Sequence, residues 1–144
     1  MRKLLYSALL LPLLVACAPS FDDCAVVNSK PSIYPDYTDI VIPVNIAPLN
    51  FKAEGKAKLL AVEVKAGADV VSLKCSDGKA VWSNRKWRSL LGSHIGDTLY
   101  YTVTMADTTG KAVKYAPFFQ MVSPDSIDSH IAYRLITMSK MVVT

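Results

Sequence analysis

From Thr98 to Ala106 the chain alternates without interruption, with Leu99, Tyr101, Val103 and Met105 on one side and Tyr100, Thr102 and Thr104 on the other. A two-residue period places successive side chains on opposite faces of an extended backbone, so this stretch can bury a continuous apolar face only as a β-strand. A lone strand is not stable in water, and the alternation therefore commits the chain to a sheet with other strands to cover that face. Further short runs bounded by turn residues supply them: Asp39 to Asn45, Leu49 to Ala53, Ala57 to Lys65, Val70 to Lys74, Lys79 to Trp82 and Val113 to Val122. Pro43 has no ladder donor and suits an edge strand or bulge. In the run from Ala57, Leu59, Ala61 and Glu63 are expected on the face opposite Leu60, Val62 and Val64. Ser76-Asp77-Gly78 and Asp107-Thr108-Thr109-Gly110 read as hairpin turns, Asp-Gly being among the stronger signals of this kind.

The period changes once. Trp87, Leu90, Leu91 and His94 recur at three- and four-residue spacing behind Asn84, a residue able to cap a helix, and Gly92 and Gly96 close the segment. A short helix is expected over residues 84–93. At 144 residues the chain holds one ordinary domain. About seven strands with one helix predict an all-β, two-layer sandwich of immunoglobulin or fibronectin type.

Ahead of this pattern, Arg2 and Lys3 precede an apolar run from Leu4 to Val15 that ends in Ala16-Cys17. The run is about 12 residues long, short of the roughly 20 that span a bilayer as a helix, and Pro12 interrupts it. This is the layout of a secretory signal. Leu14-Val15-Ala16-Cys17 resembles the lipobox of bacterial lipoproteins, which implies cleavage before Cys17 and lipid on its thiol. Several acyl chains anchor stably where one does so marginally. The expected organisation is a signal peptide over 1–16, a lipidated cysteine and flexible tether over 17–37, a β-sandwich over 38–136 and a divergent tail over 137–144. The tether carries Pro19, Pro31 and Pro35 among Ser, Asn and Asp. Ala18 is not the Asp that retains enteric lipoproteins at the inner membrane. The expected location is therefore the outer membrane of the cell envelope, facing the periplasm or the exterior.

Composition excludes some functions. The 51% hydrophobic content owes much to the leader, and setting aside Arg2 and Lys3 lowers the formal charge from +4 to +2. Nucleic-acid binding calls for a clustered basic surplus. Here only Lys79, Arg85, Lys86 and Arg88 approach one, so no nucleic-acid partner is expected. Cys24 and Cys75 would meet an oxidising compartment after export and could form a disulfide if the fold brings them together.

No catalytic set assembles from the sequence. The two histidines are His94, placed to serve the carbonyl end of the helix, and His130, within Asp128-Ser129-His130. Neighbours on an extended chain point to opposite faces, so that trio is not expected to act as a triad. Paired-cysteine, His-Glu-x-x-His and haem-attachment motifs are absent, as are Gly-rich phosphate loops, so no metal or cofactor is expected. Trp82 and Trp87, with Tyr100 and Tyr101, are candidate residues for stacking on a sugar. The expected function is a non-enzymatic interaction module contacting an envelope protein or a glycan, the alternatives being a carbohydrate-binding surface lipoprotein and an envelope hydrolase.

Two stretches carry a resemblance. Pro35-Asp36-Tyr37-Thr38-Asp39 running into Ile42-Pro43-Val44-Asn45-Ile46-Ala47-Pro48-Leu49-Asn50-Phe51, and Ile127-Asp128-Ser129-His130-Ile131-Ala132-Tyr133-Arg134-Leu135-Ile136, are similar to the amino-terminal domain of Bacteroidetes lipoproteins. Longer members of that family carry TolB-like β-propeller repeats and are sometimes labelled as cytochrome biogenesis proteins. The resemblance implies that this chain corresponds to the amino-terminal portion of a longer propeller lipoprotein. It departs from the family after Ile136, where Met138 to Thr144 form an apolar tail in place of an acidic segment and a haem-type cysteine motif, so neither haem nor propeller function carries over.

Overall fold

The computed structural model describes residues 24–130, and Cys17, the leader and the segment beyond His130 lie outside them. Ten strands and one helix follow in the order β1 (Ala25–Val26), β2 (Ile33–Tyr34), β3 (Ile40–Pro43), β4 (Phe51–Ala53), β5 (Lys58–Ala66), β6 (Asp69–Ser76), β7 (Lys79–Val81), α1 (Asn84–Ser93), β8 (Thr98–Ala106), β9 (Ala112–Lys114) and β10 (Phe118–Ser123). They form an all-β sandwich. One layer runs β6, β5, β8, then β9 and β10 end to end, with β1 and β3 parallel to them on the outside. The other layer is β7, β4 and β2.

β6 belongs to both layers. Asp69 to Leu73 pair with β5, whereas Lys74 to Ser76 pair with β7, so the strand bends from one layer into the next. The turn after it has both central residues at positive φ, Asp77 at 51° and Gly78 at 73°, as the primed hairpin turn expected for Asp-Gly requires. The β8–β9 loop also forms as expected. Asp107 closes it with one carboxylate oxygen accepting from the Thr109 and Lys111 amides at 2.8 and 2.9 Å and from the Thr109 hydroxyl at 2.7 Å, which holds that carboxyl below its usual range.

The inner face of β8 is the axis of the core. Leu99, Tyr101, Val103 and Met105 are all at most 1% exposed, as the alternation demands. Tyr101 stacks on Phe118 at 4.8 Å between centroids, and Phe51 from the opposite layer meets both edge-on. Burial pushes the Tyr101 hydroxyl far above its usual range, so it stays neutral.

Three expectations need correction. The segment read as tether is structured from Cys24 onward. β1 and β2 lie within it, Ile33 is buried, and Lys30 pairs with Asp39, whose other carboxylate oxygen accepts from the Phe119 amide at 3.1 Å. The run from Val113 to Val122 is two strands, because the chain breaks at Ala116-Pro117 and the Ala116 amide turns to the Ser29 carbonyl. In β5 a register shift between Leu59 and Ala61 breaks the alternation. Leu59 is buried on one side of it and Val62, Val64 and Ala66 on the other, so Leu59 does not share a face with Glu63.

Trp87 fixes the helix to this frame. Its ring is fully buried and its indole N–H donates to the Ile46 carbonyl at 2.8 Å. Truncation to alanine removes both the packing and the bond. Trp87→Ala is expected to lower unfolding free energy by about 3–5 kcal/mol in urea denaturation, the range for large-to-small changes in a packed core.

Candidate functional site

The helix begins at Ser83, whose hydroxyl accepts from the Lys86 amide at 3.3 Å. Asn84, expected as the cap, is instead the first helical residue. Trp87, Leu90 and Leu91 face the core, leaving Arg85, Lys86, Ser89 and Ser93 toward solvent. The side of α1 bearing these residues does not close against β6. A groove of about 670 Å³ separates them, with Val70, Val71 and Ser72 as one wall and Arg85, Lys86, Ser89, Leu90 and Ser93 as the other. A smaller recess of about 320 Å³ lies beside it, bounded by Val71, Ser72, Leu73, Val81, Trp82, Ser83 and Lys86. The helix amino terminus therefore stands beside Ser72 and Leu73.

The carboxyl end of the helix is pinned to β6. His94 caps it through its backbone amide, which donates to Leu91, and its ring is clamped by two carboxylates. Nδ1 lies 3.1 Å from Asp97 and Nε2 lies 3.1 Å from Asp69, the first residue of β6. The His94 side chain is only 10% exposed, whereas both acids reach solvent. The hydrogen bond to Asp97, assisted by Asp69, raises the His94 pKa above its ordinary value against the opposing effect of burial. The doubly bonded ring is thus favoured as the cation, which donates from both nitrogens. His94 stands at the helix end as expected, but its ring meets Asp69 and Asp97 rather than the helix carbonyls, and the sequence offered no sign of Asp69, 25 residues away, as its partner.

The other candidates do not join this site. Trp82 and Trp87 are 5% and 0% exposed, packed on each other at 4.9 Å between centroids, so neither presents a face on which a sugar could stack. This corrects the stacking expectation for the two tryptophans, of which Trp82 only borders the smaller recess; Tyr101 is buried as well, and Tyr100 is exposed away from the groove lining. Both serve the loop ahead of β4, since the Trp82 amide donates to the Asn50 side chain at 2.8 Å and Trp87 binds Ile46. The Ile46-to-Phe51 stretch thereby holds the Trp87 indole and the Trp82 backbone. Cys24 and Cys75 are free thiols. Between the strand that follows Cys24 and β6, which carries Cys75, lie β9, β8 and β5, so the pairing raised from sequence is not made. Burial pushes the Cys75 thiol up, leaving it a poor nucleophile.

Asp128, Ser129 and His130 do come together, because the chain there turns rather than extends. The His130 amide donates to Asp128 at 2.9 Å, while Ser129 Oγ and Asp128 Oδ1 lie 3.0 and 3.5 Å from the same ring nitrogen. A relay needs base contacts on opposite nitrogens, and all three residues are exposed. No group of three or more His, Cys, Asp or Glu suited to hold a metal occurs among the described residues. In the His94 clamp the carboxylates sit on opposite sides of the ring and cannot share one ion with it. No helix among the described residues is long and apolar enough to cross a membrane. Comparisons with protein-family models, curated proteins and solved structures returned no match.

The clamp makes stability depend on pH. A folded-state pKa raised above the ordinary 6.5 gives stabilisation that is fully present below 6.5 and lost as pH rises through the folded value. The urea midpoint of the wild type should therefore fall more steeply than that of His94→Gln as pH is raised from 6 to 9. Parallel profiles would contradict a charged clamp.

Proposed function

We propose that this protein is a lipid-anchored, non-enzymatic binding module of the cell envelope. It is held at the outer membrane through Cys17 and engages a partner in the groove between β6 and α1. The groove is the observation that carries the reading, because it sets apolar Val70 and Leu90, cationic Arg85 and Lys86, and serine hydroxyls along one cleft. Concave sites with a few convergent polar groups are the usual places for ligands. The anchor is supported by the Leu14-to-Cys17 motif, which lies outside the described residues. A binding role is favoured over catalysis because His94, the titratable base beside the groove, has both ring nitrogens committed to carboxylates. Ser72, Ser83, Ser89 and Ser93 favour a second reading, in which the groove takes a glycan.

A photo-crosslinking residue at position 89, in the full chain expressed in a diderm bacterium, tests this reading. Adducts with a defined envelope component should form there and not from Thr108 at the far hairpin loop. Mass spectrometry of the same preparation should find diacylglyceryl-modified Cys17 as the first residue. Adducts equally abundant at both positions, or an unmodified Cys17, would overturn the proposal.

A further inference from the structure

β6 presents an open ladder edge to the groove. Ala66 and Asp69 close the two-residue turn at Gly67-Ala68, and the register continues through Lys65↔Val70, Val64↔Val71, Glu63↔Ser72 and Val62↔Leu73. Pairs in an antiparallel ladder alternate between those that exchange both backbone bonds and those that exchange none. The turn-closing pair is of the bonded kind, so Val71 and Leu73 also bond to β5, whereas Val70 and Ser72 direct N–H and C=O away from it. β7 does not reach them, since its pairing with β6 covers only Lys74 to Ser76. Among the described residues no other strand pairs with this edge, and no turn or loop backbone group bonds to it. They face the space in front of α1.

Charge gives the groove a direction. Arg85, Lys86 and Arg88 crowd the first half of α1, with no acid in its first turn and no base in its last. This is the reverse of what the helix dipole favours, and it leaves positive charge on positive charge. Among the described residues neither Arg85 nor Lys86 has a carboxylate in ion-pair range. At the opposite end Asp69 contributes an acid that is already shared with His94. The cationic end thus lies beside Ser72, and the anionic end beside the β5–β6 turn.

We propose that the occupant is an extended peptide that adds to β6 as a further strand in front of α1, with an acidic side chain against Arg85 and Lys86. This rests on the reading of the groove as the binding surface. Backbone bonds from Val70 and Ser72 would supply affinity independent of sequence, and side chains on alternate positions would supply choice, as in other cases of strand addition beside a helix. Val70, 57% exposed, offers apolar contact on the sheet face, and Leu90 and Ser89 line the helix side. The acid would relieve the repulsion at the helix amino terminus, so binding should weaken with salt.

The test uses the full chain in detergent and a fluorescein-labelled octapeptide of alternating valine and threonine that ends in two glutamates. Its controls carry lysines in place of the glutamates, or N-methyl groups on alternate backbone nitrogens in each of the two registers. The acidic peptide should bind at least tenfold more tightly than the lysine version, and one N-methylated register should lose binding. Val70→Pro removes a single outward N–H while leaving the bonds to β5 in place. It should cut affinity at least tenfold with an unchanged circular dichroism spectrum. Arg85→Glu combined with Lys86→Glu should invert the preference between the two peptides. Binding that is indifferent to Val70→Pro and to both N-methylated registers would overturn strand addition, as would no binding at all. If crosslinks from position 89 persist despite that result, the groove stands as a binding site with a ligand of another class. If they are absent too, the broader reading fails with it.

Discussion

The bend in β6 is the constraint on which the rest depends. β6 pairs with β5 along its first residues and with β7 only along its last, and among the described residues no other strand covers the second side of its first part. An uncovered edge exposes unpaired backbone groups, which soluble proteins normally pair, twist away or cover. Here the chain places α1 across the gap without filling it. The helix stays at that distance because its far face is committed to the core through Trp87, Leu90 and Leu91, and because His94, which caps it, is clamped to Asp69. The same feature that joins the two layers thereby creates the groove.

Around that constraint the packing divides into two aromatic groups. Phe51, Tyr101 and Phe118 join the layers at the centre, and Trp82 and Trp87 join the helix to the strands beside it. The Trp82 indole N–H and the Tyr101 hydroxyl are both buried without a hydrogen-bond partner. Gln120, 1% exposed, donates its amide to the Tyr37 carbonyl at 3.0 Å and leaves its own oxygen unsatisfied. Leaving such groups unpaired costs about 1–3 kcal/mol each. The aromatic packing has to outweigh that cost.

Much of this was legible in the sequence wherever one local rule decides the outcome. β8 follows from alternation, the β6–β7 turn from Asp-Gly, and α1 from the spacing of Trp87, Leu90 and Leu91. What escaped depends on distant partners. β1 and β2 are too short to show a period, and they exist because Lys114, Ala53 and Lys52 lie opposite them. The register shift near Leu60 has no residue signature, since Leu59, Leu60 and Val62 are all apolar. Of the site, the cationic start of α1 and the histidine at its end were visible. The open edge of β6 was not, because it arises from where β7 stops pairing rather than from any residue in β6 itself.

Native-state amide hydrogen exchange, resolved to single residues in the unliganded protein, tests that edge most directly. Slow exchange at Val71 and Leu73, with Val70 and Ser72 exchanging at rates near those of exposed loops, is the expected pattern. Equal protection at all four positions would mean that the outward groups of β6 are already bonded, and that no open edge faces the helix.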